Sequence, residues 1–267
     1  MNILQDIATY TKERVDIQKK LLPLDKIIEM AQSTCGSGIS CASDFPFEAA
    51  LRCNDMAFIC EVKKASPSKG VISATFPYLE IAKEYETAGA AAISVLTEPH
   101  YFKGNDLYLK EIAGSVSIPL LRKDFTVDAY MIYEAKILGA SAILLICAIL
   151  DKDTLVEYIN IAHSLGLSTL VETHSEIEVD MALNAGARIV GVNNRNLETF
   201  EVDIALSQRL RKMVPKDIVF VSESGIRCAD DIKALRQNDV DAVLVGETLM
   251  RASDKKAALD ELRGSTP

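Results

Sequence analysis

The stretch AGAAAISVLTE at residues 88–98 decides how the chain is read, because its pattern returns as LGASAILLICA at 138–148 and AGARIVGVNN at 185–194. Each copy carries a Gly-Ala, a short spacer and a β-branched apolar run. NDVDAVLVGE at 238–247 is a looser copy with Asn and Asp at the turn. The glycine stands where a helix C-cap needs positive φ. The run after it reads as a buried parallel strand. Amphipathic stretches precede the copies: YLEIAKEYETAG from Tyr78, AYMIYEAKILG from Ala129, EIEVDMALNAG from Glu176 and ADDIKALRQN from Ala229.

Working outward, SIPLLRK, LSTLVET and DIVFVSES supply further strands. Together with AFICEVK they make eight, expected at 57–63, 91–96, 118–122, 142–147, 168–172, 188–193, 217–222 and 241–246. Helix-like segments lie between them, including TLVEYINIAHSLG and DIALSQRLRKM. Eight strand–helix units over about 210 residues fit a (β/α)8 TIM barrel. A doubly wound open sheet is the competitor, but no G-x-G-x-x-G follows the first strand. No linker or low-complexity block separates a second domain. Residues 1–267 are therefore expected to form a single barrel domain. Residues 1–50 read as extra N-terminal helices, broken near LLP and at TCGSGIS.

Composition narrows the function. The chain has 267 residues, 49% hydrophobic and 25% charged, which is globular. No apolar run approaches the roughly 20 residues a membrane helix needs, and the polar start MNILQDIATYTKER is neither a signal nor a transit peptide. A cytoplasmic protein with no membrane role is expected. The formal charge of −9 argues against a nucleic-acid surface. Six cysteines (Cys35, Cys41, Cys53, Cys60, Cys147 and Cys228) lack C-x-x-C spacing and read as reduced, small hydrophobes. His100, His163 and His174 are scattered, with no pair at i, i+4, so no metal site is expected.

The first strand raises a chemical question. In FICEVKKASPSKG, from Phe58, side chains two apart share a face. Ile59, Glu61 and Lys63 then lie on one face, and Phe58, Cys60 and Val62 on the other. Charges on the first face need water or a polar cavity, because burying them unpaired is costly. Barrel chemistry sits at the C-terminal strand ends. Those ends offer Glu61, Lys63 and Ser66, then Lys123 and Asp124, then Glu172, then Asn193, Asn194 and Arg195, then Glu223, Ser224 and Gly225, and last Gly246. SESGI and VLVGETLM each put a glycine at a strand end, as loops that cradle phosphate do. SPSKG is not a Walker motif, so a small phosphorylated compound is expected rather than a nucleoside triphosphate.

FICEVKKASPSKG closely resembles the signature of the indole-3-glycerol phosphate synthase family of tryptophan biosynthesis. SIPLLRKDF, LVETH, GVNNRNLETFEVD, VSESGI and VLVGETLM resemble its later motifs, in order, and FPFEAALR and the N-terminal helices also look like the family. The resemblance covers nearly the whole chain. It implies a carboxy-lyase acting on a small phosphorylated aromatic substrate, 1-(2-carboxyphenylamino)-1-deoxyribulose 5-phosphate. It implies Lys123 as general acid of ring closure and Glu172 as acid/base partner of later steps, with Lys63 and Glu61 beside them. Asn193 would position the substrate and Glu223 support the polar network. Ser66, Arg195, Ser224, Gly225 and Gly246 would line the substrate and phosphate sites. Glu247 departs from some members, where a small residue follows the glycine; its carboxylate is expected to turn away from phosphate. Association with other tryptophan-pathway enzymes is left open.

The chemistry fits these residue types. An aryl carbon attacks a ketone whose oxygen gains negative charge, so a cation with a proton to give lowers the barrier. A lysine with a pKa lowered by neighbouring cations or burial suits this role. The anilino nitrogen can act as electron sink for loss of CO2, so no cofactor is needed. Phe102, Phe125, Leu144, Leu197 and Phe200 could hold the aryl ring. Phosphoribosylanthranilate isomerase is the nearest alternative, but it would not need EVKKASPSKG or the helical extension. A silent, metabolite-binding barrel would have no reason to keep costly buried charges.

Overall fold

The computed structural model describes residues 3–34, 45–52, 55–73, 75–196 and 198–264. Eight parallel strands close into a barrel: β1 (Ala57–Val62), β2 (Ala92–Leu96), β3 (Leu120–Lys123), β4 (Ala142–Ile146), β5 (Ser168–Thr173), β6 (Ile189–Asn193), β7 (Val219–Glu223) and β8 (Ala242–Val245). Closure is made by β1, which pairs Ala57 with Ala242 of β8 and Ile59 with Ala92 of β2. Three helices come before the barrel: α1 (Ile3–Leu21), α2 (Leu24–Ser33) and α3 (Pro46–Leu51). The break expected at LLP is the α1–α2 junction, where Pro23 stands just before α2. The break expected at TCGSGIS falls mostly outside the described residues, as do Cys35, Cys41 and Cys53.

Between strands run α4 (Tyr78–Thr87), α5 (Asp106–Ala113), α6 (Tyr130–Ile137), α7 (Lys152–Ser164), α8 (Glu176–Asn184), α9 (Ala205–Leu210) and α10 (Ala229–Arg236). Two more, α11 (Glu247–Arg251) and α12 (Lys255–Arg263), follow β8. The repeat does what its pattern requires. Gly89, Gly139 and Gly186 have φ of 79°, 87° and 85°, reversing the chain after α4, α6 and α8. Asp239 takes φ 55° in the looser copy, where no glycine stands at the turn; Asp tolerates this region better than most residues.

Strand alternation sorts side chains into two cores. Ile59, Leu121, Leu144, Leu170, Val221 and Leu244 point inward and fill the barrel. Phe58, Cys60 and Val62 point outward beneath the helices. Each fully buried Leu, Ile or Val contributes about 1.5–3 kcal/mol relative to exposure. Phe47 and Leu51 of α3 plug one end of the inner core, while Leu4 and Ile7 of α1 join it at the other. Among the described residues no helix is long and apolar enough to cross a membrane.

β3 starts later than expected, at Leu120 rather than residue 118, because Pro119 has no N–H for a ladder. Its carbonyl still accepts from Ile93. β3 also runs one residue further, so Lys123 belongs to the strand.

Candidate active site

The C-terminal strand ends converge on a cavity of about 650 Å³. Glu61, Lys63, Lys123, Glu172, Asn193 and Glu223 all line it. Ser66, Arg195, Ser224, Gly225, Gly246 and Glu247 do so as well, and so do Phe102, Phe125, Leu144 and Phe200. Leu197 lies outside the described residues. Phe102, Phe125 and Leu144 share one apolar cluster, where the Phe102 and Phe125 rings lie 5.9 Å apart. Ile3, Leu4 and Ile7 of α1 complete that cluster.

The charged members form two groups. On β1, Lys63 pairs with Glu61, whose carboxylate is almost wholly buried. On β3, β5 and β7, Lys123 Nζ stands 3.5 Å from Glu172 Oε2 and 3.7 Å from Glu223 Oε2. Both distances are long for charge-assisted hydrogen bonds. Burial by itself would lower the Lys123 pKa, but Glu172, Glu223 and Glu61 outweigh it and the net shift is upward. The sequence expectation of a lowered lysine pKa is thereby overturned. The neighbours that matter are carboxylates rather than cations, and they favour the charged form of Lys123.

The carboxyls diverge. Burial disfavours the charge on Glu172, yet Lys123, His174 and a hydrogen bond from Asn193 prevail and its pKa falls. Burial, Glu172 and Glu61 push Glu223 up to about 8, against Lys123 and His174. Of the two carboxyls, Glu223 is the one that takes up a proton more readily and Glu172 the one that keeps its charge. Glu223 Oε1 has no hydrogen-bond partner among the described residues. It occupies room that a side chain at Gly191 would take.

The two loop glycines differ from expectation in one respect. A side chain at Gly246 would meet the Glu61 carboxylate and the Lys63 ammonium. One at Gly225, where φ is 87°, would meet Val202 and Ile204. Their missing Cβ atoms make room for the protein itself. Glu247 turns to Arg251, at 3.1 Å, and to Lys69, at 3.7 Å. Asn194 is spent on structure: it bonds Ser222, Ser207 and the Ser224 carbonyl, tying β6 to β7 and α9. Asp124 pairs with Arg14 of α1 at 2.9 Å and accepts from Thr97.

Several contributors were missed in the sequence. Lys69, Arg227 and Arg251 line the cavity near the glycine loops. Lys69 stands in the turn of a hairpin, Ala65–Ser66 against Gly70–Val71, that follows β1. Its place in SPSKG was visible, but its orientation was not. Glu98 is fully buried and accepts from the backbone N–H groups of His100, Tyr101 and Phe102, which sets Phe102 over the cavity. His174 lies behind Glu172 and outside the cavity lining.

Residues 4–262 match the family model described as indole-3-glycerol phosphate synthase. A protein of Ruminiclostridium cellulolyticum named indole-3-glycerol phosphate synthase is 59% identical over 263 residues, covering 98% of this chain and 99% of its own. One of the same name from Endomicrobium trichonymphae is 52% identical over 262 residues, again covering 98% and 99%. Among solved structures, a 3-hexulose-6-phosphate synthase superposes with a TM-score of 0.63 at 16% identity, covering 79% of this chain and 100% of its own. At that identity the likeness shows the barrel alone.

Proposed function

The chain belongs to the indole-3-glycerol phosphate synthase family, and from that membership we propose how its residues divide the reaction. The enzyme converts 1-(2-carboxyphenylamino)-1-deoxyribulose 5-phosphate to indole-3-glycerol phosphate, CO2 and water, as a carboxy-lyase of tryptophan biosynthesis. The observation that carries the division is Lys123, an ammonium held between Glu172 and Glu223 at distances that leave it under-bonded.

Lys123 is the general acid of ring closure. As the aryl carbon attacks the ketone, the oxygen becomes an alkoxide and takes a proton from Nζ. Its carboxylate neighbours keep Lys123 charged until that moment. A positioned donor of this kind is worth about 10²–10⁴ in rate. The attack draws electrons from the anilino nitrogen, and loss of CO2 returns them to the ring. The last step removes the hydroxyl and a proton from the neighbouring methylene carbon. Glu172, ionised, takes that proton, and Lys63, held by Glu61, gives one to the departing hydroxyl. Asn193 positions the substrate and hydrogen-bonds Glu172.

The substrate brings a carboxylate and a phosphate. The phosphate is assigned to the β7 and β8 loops, where Ser224, Gly225, Gly246 and Glu247 present backbone and Lys69, Arg227 and Arg251 supply positive charge. Glu247, engaged with Arg251 and Lys69, contributes its backbone N–H only. Ser66 and Arg195 line the remaining polar wall, and Phe102, Phe125, Leu144 and Leu197 hold the aryl ring. The proposal takes the chain as one cytoplasmic barrel domain with residues 1–50 as its helical extension.

Glu172→Gln tests the division with little change in packing, because the amide cannot accept the proton. Rapid quenching of this variant should trap a ring-closed or decarboxylated species that still carries the hydroxyl. If CO2 release and indole formation slow together with no intermediate, Glu172 acts at or before ring closure and the division fails.

A further inference from the structure

His174 lies just beyond the end of β5, in a short bend before α8. Its backbone N–H donates to Glu178 Oε2 at 2.7 Å, and its Nδ1 lies 3.3 Å from the same oxygen. Glu178 stands in the first turn of α8, where its own N–H donates to Ser175, the N-cap, and its carboxylate is held by the His174 N–H. The ring therefore has one orientation imposed from the helix side. In that orientation Nε2 lies 3.5 Å from Glu172 Oε1 and, though buried, has no hydrogen-bond partner among the described residues. Lys123 approaches the other oxygen of the same carboxylate, Oε2.

A neutral imidazole has one donor nitrogen and one acceptor nitrogen. Here each ring nitrogen faces a carboxylate. A lone pair aimed at either would be repelled, so only the doubly protonated ring suits both sides. The charged groups around it agree: Glu172 on β5, Glu178 on α8 and Glu223 on β7 favour the cation, and Lys123 on β3 faces the far side of Glu172. The Cys147 thiol after β4 is pushed up to about 12 by burial, then by Glu178 and Glu172, and stays neutral. Burial opposes the charge on His174, and these carboxylates overcome it.

We infer that His174 is a positioning residue for Glu172: an imidazolium clamped by Glu178 that holds Oε1 and leaves Oε2 to the reaction. The inference rests on the acid/base role given to Glu172 above. His174 touches no substrate, since it is outside the cavity lining. It acts by keeping Glu172 ionised and in a single rotamer. Misplacing a catalytic group by about 1 Å can cost up to 10²-fold in rate, so the device has enough leverage to matter.

The test is a cycle of His174→Ala, His174→Gln, Glu172→Gln and the double variant Glu172→Gln/His174→Ala, read as kcat, KM and pH profile. His174→Ala should lower kcat by about tenfold with KM within about twofold, the pattern of a lost transition-state interaction. The acid limb of its kcat profile should move up by about one pH unit, because Glu172 loses a positive neighbour. His174→Gln places a neutral donor where Nε2 stood. It should recover most of kcat yet keep the shifted acid limb, which separates the hydrogen bond from the charge. In the Glu172→Gln background, His174→Ala should cost nothing further. If the alanine variant melts early, the glutamine variant carries the pH test alone, since it too removes the charge. An unmoved acid limb in both variants, or the same loss with and without Glu172, overturns the inference while leaving Glu172 catalytic. Near-normal turnover of Glu172→Gln by itself overturns both.

Discussion

Arg122 and Lys123 are adjacent on β3, and both are cations surrounded by carboxylates, one buried and one partly open to the cavity, yet their bonding is opposite. Arg122 faces outward under the helices. Its guanidinium donates to Asp106 at 2.7 Å, Glu134 at 2.6 Å, the Met131 carbonyl at 2.9 Å and Thr97 at 3.2 Å. Lys123 faces the cavity and meets its carboxylates only at 3.5 and 3.7 Å. One cation is saturated and fixes α5 and α6 to the strand. The other meets two carboxylates loosely and opens onto the cavity. A single-residue step along a strand separates a group that stabilises the fold from one reserved for the substrate.

The largest effect should come from breaking the saturated side. Arg122→Met leaves Asp106, Glu134 and Asp124 without their shared cation. Removing one partner of a buried ion cluster costs about 3–5 kcal/mol. The lower end is expected here, because Arg14 still neutralises Asp124 and Asp106 reaches water. Urea unfolding would measure it, and a loss below about 1 kcal/mol, the range of a surface pair, would erase the distinction drawn between the two cations.

Lys123→Met should do the reverse. Turnover should fall at least about 10²-fold, the lower range for a lost general acid, while stability in urea should fall less than in Arg122→Met. Binding of a product analogue, followed by fluorescence in a chain with no Trp, should stay within roughly tenfold, since phosphate contacts are shared by ground and transition states. Near-normal turnover would remove Lys123 from the acid's role.

The smallest effect is a change of pH dependence at Glu223. Its folded pKa is raised from 4.5 to about 8. A raised carboxyl contributes stability that is fully present below its unfolded pKa and is lost as pH rises through the folded value. Wild type should therefore lose stability between about pH 4.5 and 8 relative to Glu223→Gln, which cannot ionise. The same ionisation adds negative charge to a site for an anionic substrate, so kcat/KM should decline above about pH 8 and the decline should vanish in the variant. Parallel Tm and kcat/KM profiles for the two proteins would place the pKa elsewhere.

The barrel was legible because its signals are local. A glycine turn, a β-branched run and an amphipathic helix recur within each unit, and alternation alone puts Glu61 and Lys123 inward. One misreading was local and the others concern what distant segments bring. Pro119 delayed β3 through its missing N–H, which the strand reading underweighted. The upward shift of Lys123 depends on Glu172, Glu223 and Glu61, three carboxylates from three other strands. His174 reads as an isolated histidine until Glu178 and Glu172 are seen on its two sides. Lys69, Arg227 and Arg251 carry no pattern that distinguishes them from solvated cations.

The docking of α1 sets an order in which the site becomes available. Arg14 reaches Asp124, 110 residues away, and Lys19 and Gln18 reach Asp128 and Glu134. Tyr10 packs on His100 and Tyr101. These partners lie in the first half of the barrel to leave the ribosome. The room that Glu61 and Lys63 share at Gly246, and the Ser224–Arg227 loop, belong to the last quarter. Chain order thus splits the cavity: α1, which backs the wall for an aromatic ring, finds these partners by Glu134, and the seat for a phosphate waits for the sheet to close on itself.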